Sequence, residues 1–148
     1  MDENVLLAHS NVSLARQPIV DSRLSVMGYE LLYRKNAIAM QADVMDDVGA
    51  TAQVISASLF EFGVENLVGS NKAFVNFPRA YLLSPNGIPI HKENLIIEVM
   101  QDAGFDAILL SSLRHWVKAG CSIALDDFVF DSKLTPFIDL AEYVKLDM

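Results

Sequence analysis

Short apolar runs with strand character recur along the chain with helix-like segments between them, and this alternation narrows the fold more than any other feature. The runs cover positions 14–20, 26–33, 72–77, 95–99, 122–128 and 143–147, and most are rich in β-branched or aromatic residues. Positions 21–25, DSRLS, form a short turn-like link between the first two runs, which predicts an antiparallel hairpin. Later gaps are longer. At 46–62, Val48, Thr51, Ala52, Ile55, Leu59 and Phe62 follow helical spacing, and Gly63 is placed to stop the helix. A second helix is expected at 106–119, with Asp106 as N-cap, Ile108, Leu109, Leu113, Trp116 and Val117 as apolar stripe, and Gly120 at its end. Helices alternating with apolar strands imply a largely parallel α/β sheet, and periodicity leaves an open sheet and a barrel equally allowed.

The strands carry polar residues where burial would be costly. Glu30 lies in VMGYELLYR, Asn76 in AFVNF, Glu98 in LIIEVM, Asp126 and Asp127 in SIALDDF, and Lys145 and Asp147 in YVKLDM. One such acid reads most simply as a strand-end residue reaching water or pairing with a nearby base. Five strands with the same feature, mostly toward their C-terminal halves, point to convergence at one place. Inward side chains at the C-terminal strand ends of a β/α barrel meet at its mouth. Carboxylates gathered there repel one another unless cations lie between them, and an all-oxygen set suits Mg²⁺, Mn²⁺ or Ca²⁺.

Composition excludes several classes. A net charge of −8 repels a nucleic-acid duplex. The chain is hydrophobic, with 52% apolar residues and a mean hydropathy of +0.29, yet no uninterrupted apolar run reaches the roughly 20 residues of a membrane span. The start, MDENVLLAHS, is acidic where a secretory signal would be basic, so a cytoplasmic location with no membrane partner is expected. Cys121, the single cysteine, reads as a small buried hydrophobe. His9, His91 and His115 lack metal-ligand spacing, Met40, Met45 and Met100 read as core or loop residues, and SPNGIPIHKEN reads as a turn rather than a phosphate-binding loop.

Six segments, in order, resemble EAL domains, the cyclic-di-GMP phosphodiesterase superfamily: ARQPIVDSRLSVMGYELLYR, ATAQVISASLFEFGVENLVG, KAFVNFPRAYLL, LIIEVMQD, GCSIALDDFVFD and AEYVKLDM. The resemblance runs from about Leu14 to Met148 and is to the YuxH-type branch, in which an HDOD domain follows the barrel. It implies a partial (β/α) barrel of about six strands at 14–148, the first antiparallel to the rest, behind an N-terminal extension at 1–13. By the same resemblance Glu30, Asn76, Glu98 and Asp126 would surround one Mg²⁺ or Mn²⁺, and Asp127 would serve a second ion. Glu30 and Lys145 would be the catalytic pair, Lys145 helping to position or activate the attacking water, and Gln17 and Arg34 would contact the cyclic dinucleotide. The implied reaction is in-line hydrolysis of one phosphodiester of cyclic di-GMP, giving the linear dinucleotide.

The sequence also departs from catalytic members. Leu31 replaces a small residue of the EAL signature, Gln101 replaces a glutamate, and Val129 replaces the glycine after DDF. A full barrel takes about 250 residues, so the segments that complete the second metal site and close the barrel are not expected within these 148. The expectation is therefore a signalling module that works through protein contacts, retains metal or cyclic-di-GMP binding, and pairs with itself or with a complementary segment. Active hydrolysis is the alternative.

Overall fold

The computed structural model describes residues 7–9, 12–35, 63–84 and 94–146. They form one seven-stranded sheet whose spatial order follows the chain order. Its strands are β1 (Leu7–His9), β2 (Val12–Val20), β3 (Val26–Lys35), β4 (Lys72–Asn76), β5 (Leu95–Met100), β6 (Ser122–Asp126) and β7 (Tyr143–Val144). β2 pairs antiparallel with β3, and β3 through β7 pair parallel in succession. Helices α1 (Val64–Val68), α2 (Arg79–Leu82), α3 (Ala107–Lys118) and α4 (Thr135–Leu140) fall between the parallel strands. Sequential parallel pairing with interposed helices makes this a partial β/α barrel, with β2 running against the parallel set.

The hairpin forms as its turn residues dictate. Asp21 Oδ1 accepts hydrogen bonds from the backbone N–H groups of Arg23 and Ser25, and Leu24 takes a φ of 61° to complete the reversal. At the other end the structure departs from the expectation, because Leu7–His9 and Val12–Ser13 belong to the sheet and not to an extension preceding it. A three-residue strand gains its place from cross-strand pairing, which leaves no periodicity to read in sequence.

Period-two alternation splits the parallel strands between two environments. Tyr29, Leu31, Ala73, Val75, Phe77, Leu95, Ile97, Val99, Ile123 and Leu125 pack with Leu109, Leu113, Trp116 and Phe137 of the helices. The intervening Phe74, Ile96 and Ala124 form a smaller cluster on the other face, with Ile19, Met27 and Tyr143 against it. Two-sided cover explains why β4, β5 and β6 read as nearly continuous apolar runs.

Helix α3 forms as its capping residues predict. Asp106 accepts a hydrogen bond from Leu109 N, and Gly120 follows the helix with a φ of 96°. Buried Trp116 donates its indole N–H to the Leu82 carbonyl, tying α3 to α2. Cys121 is buried, as expected of a small hydrophobe. The short helices α1, α2 and α4 escaped the sequence reading, since four to six residues show too little of a 3.6-residue period. The expected helix at 46–62 and most of the SPNGIPIHKEN turn lie outside the described residues.

Candidate metal and cyclic-dinucleotide site

Each inward apolar residue of the parallel strands is followed, two positions later, by a polar one. Phe74 is followed by Asn76, Ile96 by Glu98, Ala124 by Asp126, and Tyr143 by Lys145. Since residues two apart on a strand share a face, these polar groups form the next layer toward the C-terminal ends, and Glu30 of β3 joins them.

Their side chains meet. Asn76 Nδ2 donates to Glu30 Oε1 at 3.0 Å. Lys145 Nζ stands 2.7 Å from Glu98 Oε1, 3.1 Å from Glu30 Oε2 and 3.4 Å from Asp126 Oδ2. Glu30, Glu98 and Asp126 each offer a carboxylate oxygen, and these oxygens lie within 4.8 Å of one another. Positions 30, 76, 98, 126 and 145 thus come together from five strands or strand ends, across 115 residues of sequence.

Glu98 is fully buried at 0% exposure, in contrast to the partly open Glu30 and Asp126. The Lys145 ammonium, 2.7 Å from Glu98 Oε1, is its charge partner there. Glu98 Oε2 and Asn76 Oδ1 have no hydrogen-bond donor among the described residues. Burial pushes the Glu98 pKa up to about 7; the Lys145 ammonium opposes the rise, and the neighbouring charges of Glu30 and Asp126 add to it. For Lys145, burial alone would lower the pKa, but Glu98, followed by Glu30 and Asp126, outweighs it and holds the ammonium above its usual range.

Three carboxylates with oxygens within 4.8 Å of one another, beside an amide whose buried oxygen lacks a donor among the described residues, fit a hard divalent cation. Glu30, Asn76, Glu98 and Asp126 are the residues that would hold it. Asp127 is exposed, has a φ of 52°, donates its N–H to Asp126 Oδ1, and is not one of the three carboxylates whose oxygens lie within 4.8 Å of one another. Gln17 pairs in register with Glu30 across the hairpin and is exposed on the same face. Arg34 pairs in register with Ser13, farther along β3.

The departures in sequence fall mostly away from this cluster. Leu31, 2% exposed, packs into the helix-side core, so its bulk is turned from the carboxylates. Gln101 and Val129 are exposed. Arg79 carries no sign of importance in sequence, yet its guanidinium makes several contacts beside the layer. Those contacts depend on loop geometry after β5, which a sequence pattern does not reveal.

A β/α barrel with an oxygen-ligand cluster at its C-terminal rim is the class of protein that fold and site define. No family model matches the chain. It is 27% identical over 135 residues to the cyclic di-GMP phosphodiesterase CdgJ of Vibrio cholerae, covering 91% of this chain and 31% of that protein. It is 32% identical over 117 residues to the uncharacterised protein YuxH of Bacillus subtilis, covering 79% of this chain and 28% of that protein. The chain therefore spans about a third of the curated relatives it matches. Among solved structures it resembles Klebsiella pneumoniae BlrP1 in its manganese and cyclic-di-GMP complex, with a TM-score of 0.70 and 20% identity over 90% of this chain and 40% of that one. These likenesses support a fragment similar to the EAL-domain superfamily. Among the described residues, no helix is long and apolar enough to cross a membrane.

Proposed function

We propose that this chain is a cytoplasmic, EAL-derived signalling module that holds a divalent cation at Glu30, Asn76, Glu98 and Asp126 and, through it, binds cyclic di-GMP. One observation carries the reading: a fully buried glutamate, met by the Lys145 ammonium on one oxygen and by no donor among the described residues on the other, gathers with two further carboxylates whose oxygens lie within 4.8 Å of one another. Mg²⁺ or Mn²⁺ would offset the charge there and offer a Lewis-acidic contact to a phosphodiester oxygen. Gln17, exposed beside Glu30, and Arg34 would orient the dinucleotide, Arg34 through a planar fork suited to phosphate. Asp127, exposed beside Asp126, would serve a second ion. Gln101 and Val129, in place of the residues of catalytic EAL domains, favour binding and protein contact over turnover.

Hydrolysis is the second reading, favoured by the position of Lys145. An ammonium held among three carboxylates at the site is placed to orient a water or to stabilise charge on a phosphodiester oxygen. The curated relative named a cyclic di-GMP phosphodiesterase supports it as well.

Calorimetric titration with Mn²⁺, then with cyclic di-GMP in its presence, tests the proposal, and chromatography of the same samples detects the linear dinucleotide. Binding of both without product is expected; product formation would install the second reading. No heat with Mn²⁺, or binding unchanged in Glu98→Gln, would remove both. Self-association is part of the proposal, because β7 pairs on one side only among the described residues, and Val144 and Leu146 are exposed.

A further inference from the structure

The loops leaving β4 and β5 are joined by a single guanidinium. Arg79, in the first turn of α2, lies three residues after Asn76. Its Nη1 donates to the Ala103 carbonyl at 3.1 Å, the Gly104 carbonyl at 2.7 Å and Asp106 Oδ1 at 3.2 Å, and its Nη2 donates to Asp106 Oδ2 at 2.7 Å. Ala103 and Gly104 are the turn by which the chain leaves β5, and Gly104 takes a φ of 77° there. Asp106 also caps α3 by accepting from Leu109 N at 2.8 Å. One side chain therefore ties the segment after Asn76 to the whole exit from Glu98. Asn76 and Glu98 are already register partners, and Phe77 N donates to the Glu98 carbonyl at 3.3 Å.

We infer that Arg79 is a positioning residue for the metal site, fixing the separation between the Asn76 amide and the Glu98 carboxylate by clamping the two strand exits. The inference rests on the proposed metal site and adds to it a residue that touches neither cation nor dinucleotide. Hard-cation coordination tolerates little ligand displacement, and partners that orient ligands commonly change metal affinity by 10–100-fold when removed. The planar fork matters as much as the charge, since it serves two carbonyls and both oxygens of one carboxylate.

Mn²⁺ titrations of the full chain, followed by calorimetry and by the electron paramagnetic resonance spectrum of the bound ion, test the clamp. Arg79→Ala should weaken Mn²⁺ binding about tenfold and broaden the bound-ion spectrum. Arg79→Lys, which keeps charge without the fork, should recover little of either. Asp106→Asn keeps a good N-cap while losing the ionic pair, and should move both readouts in the same direction as Arg79→Ala with α3 intact by circular dichroism. Should Arg79→Ala fail to fold, the lysine and asparagine variants decide. Wild-type binding with all three variants inside twofold of it and spectrally identical overturns the clamp and leaves the metal site standing. Absence of wild-type binding, with Glu98→Gln indistinguishable from it, overturns the site and the clamp with it.

Discussion

At the scale of single residues, Glu98 sets the strongest constraint. Its carboxyl is buried and pushed up to about 7 by that burial, with Glu30 and Asp126 adding to the shift against Lys145. Between the ordinary glutamate value of 4.5 and about 7, the folded chain keeps a proton that the unfolded chain has released. The stability contribution is thus fully present below the unfolded pKa and is lost as pH rises through the folded one, a change of a few kcal/mol at most by linkage. Denaturant titrations of the metal-free chain from pH 5 to 8 should show this decline. Saturating Mn²⁺ should flatten it, as should Glu98→Gln, which would also abolish Mn²⁺ binding. A wild-type profile that stays level over the same range would contradict the burial argument. Glu98 was legible in sequence because an acid inside LIIEVM has no ordinary reason to be there. Asp127 shows what a string leaves open: two adjacent acids look equivalent there, but the strand ends at Asp126, and the exposed, left-handed Asp127 is not one of the three carboxylates that gather.

Individual elements owe their placement to close contacts that no periodicity encodes. Gly28 of β3 is a clear example: a Cβ built there would stand 2.6 Å from the Lys72 carbonyl oxygen and 2.7 Å from the Phe74 ring. Gly28→Ala should therefore destabilise the chain by about 1–3 kcal/mol through overpacking. Because Gly28 pairs with Lys72 two residues before the Glu30 and Phe74 pair, it should also weaken Mn²⁺ binding. Urea unfolding and calorimetry check the two effects, and an unchanged midpoint would show that β4 yields more easily than its two-sided packing implies. Helix α3 was readable from its cap and stripe, whereas the Arg79 pairing that anchors its first turn was not. Arg79 holds the Asp106 carboxyl below its usual value, so the stability this pair supplies is present above the unfolded pKa of 3.8 and is lost as pH falls through the folded one. Asp106→Asn should accordingly narrow the loss of thermal stability between pH 5 and 2; identical acid profiles for variant and wild type would show that the pair contributes nothing.

For the molecule as a whole, strand order and direction followed from the sequence better than the extent of the sheet did. Alternating apolar strands and helices specified a parallel α/β sheet, and the barrel became definite only when five polar residues proved to share one rim. The short strands at the two edges, β1 and β7, were misjudged in extent because each depends on one neighbour rather than on its own pattern. That dependence bears on assembly. Among the described residues β7 pairs only with β6, so its outer backbone groups face away from the sheet, with Val144 at 44% and Leu146 at 77% exposure beside them. Unpaired strand edges with apolar side chains readily add another strand, and an edge lysine is a common means of preventing it. Light scattering at micromolar concentration should give a mass above that of one 16.4 kDa chain, and Val144→Lys should shift it toward the monomer while Mn²⁺ binding at the rim persists. A wild-type monomer across that range would show that this edge is protected, and a Val144→Lys variant still associated would move the contact to another surface.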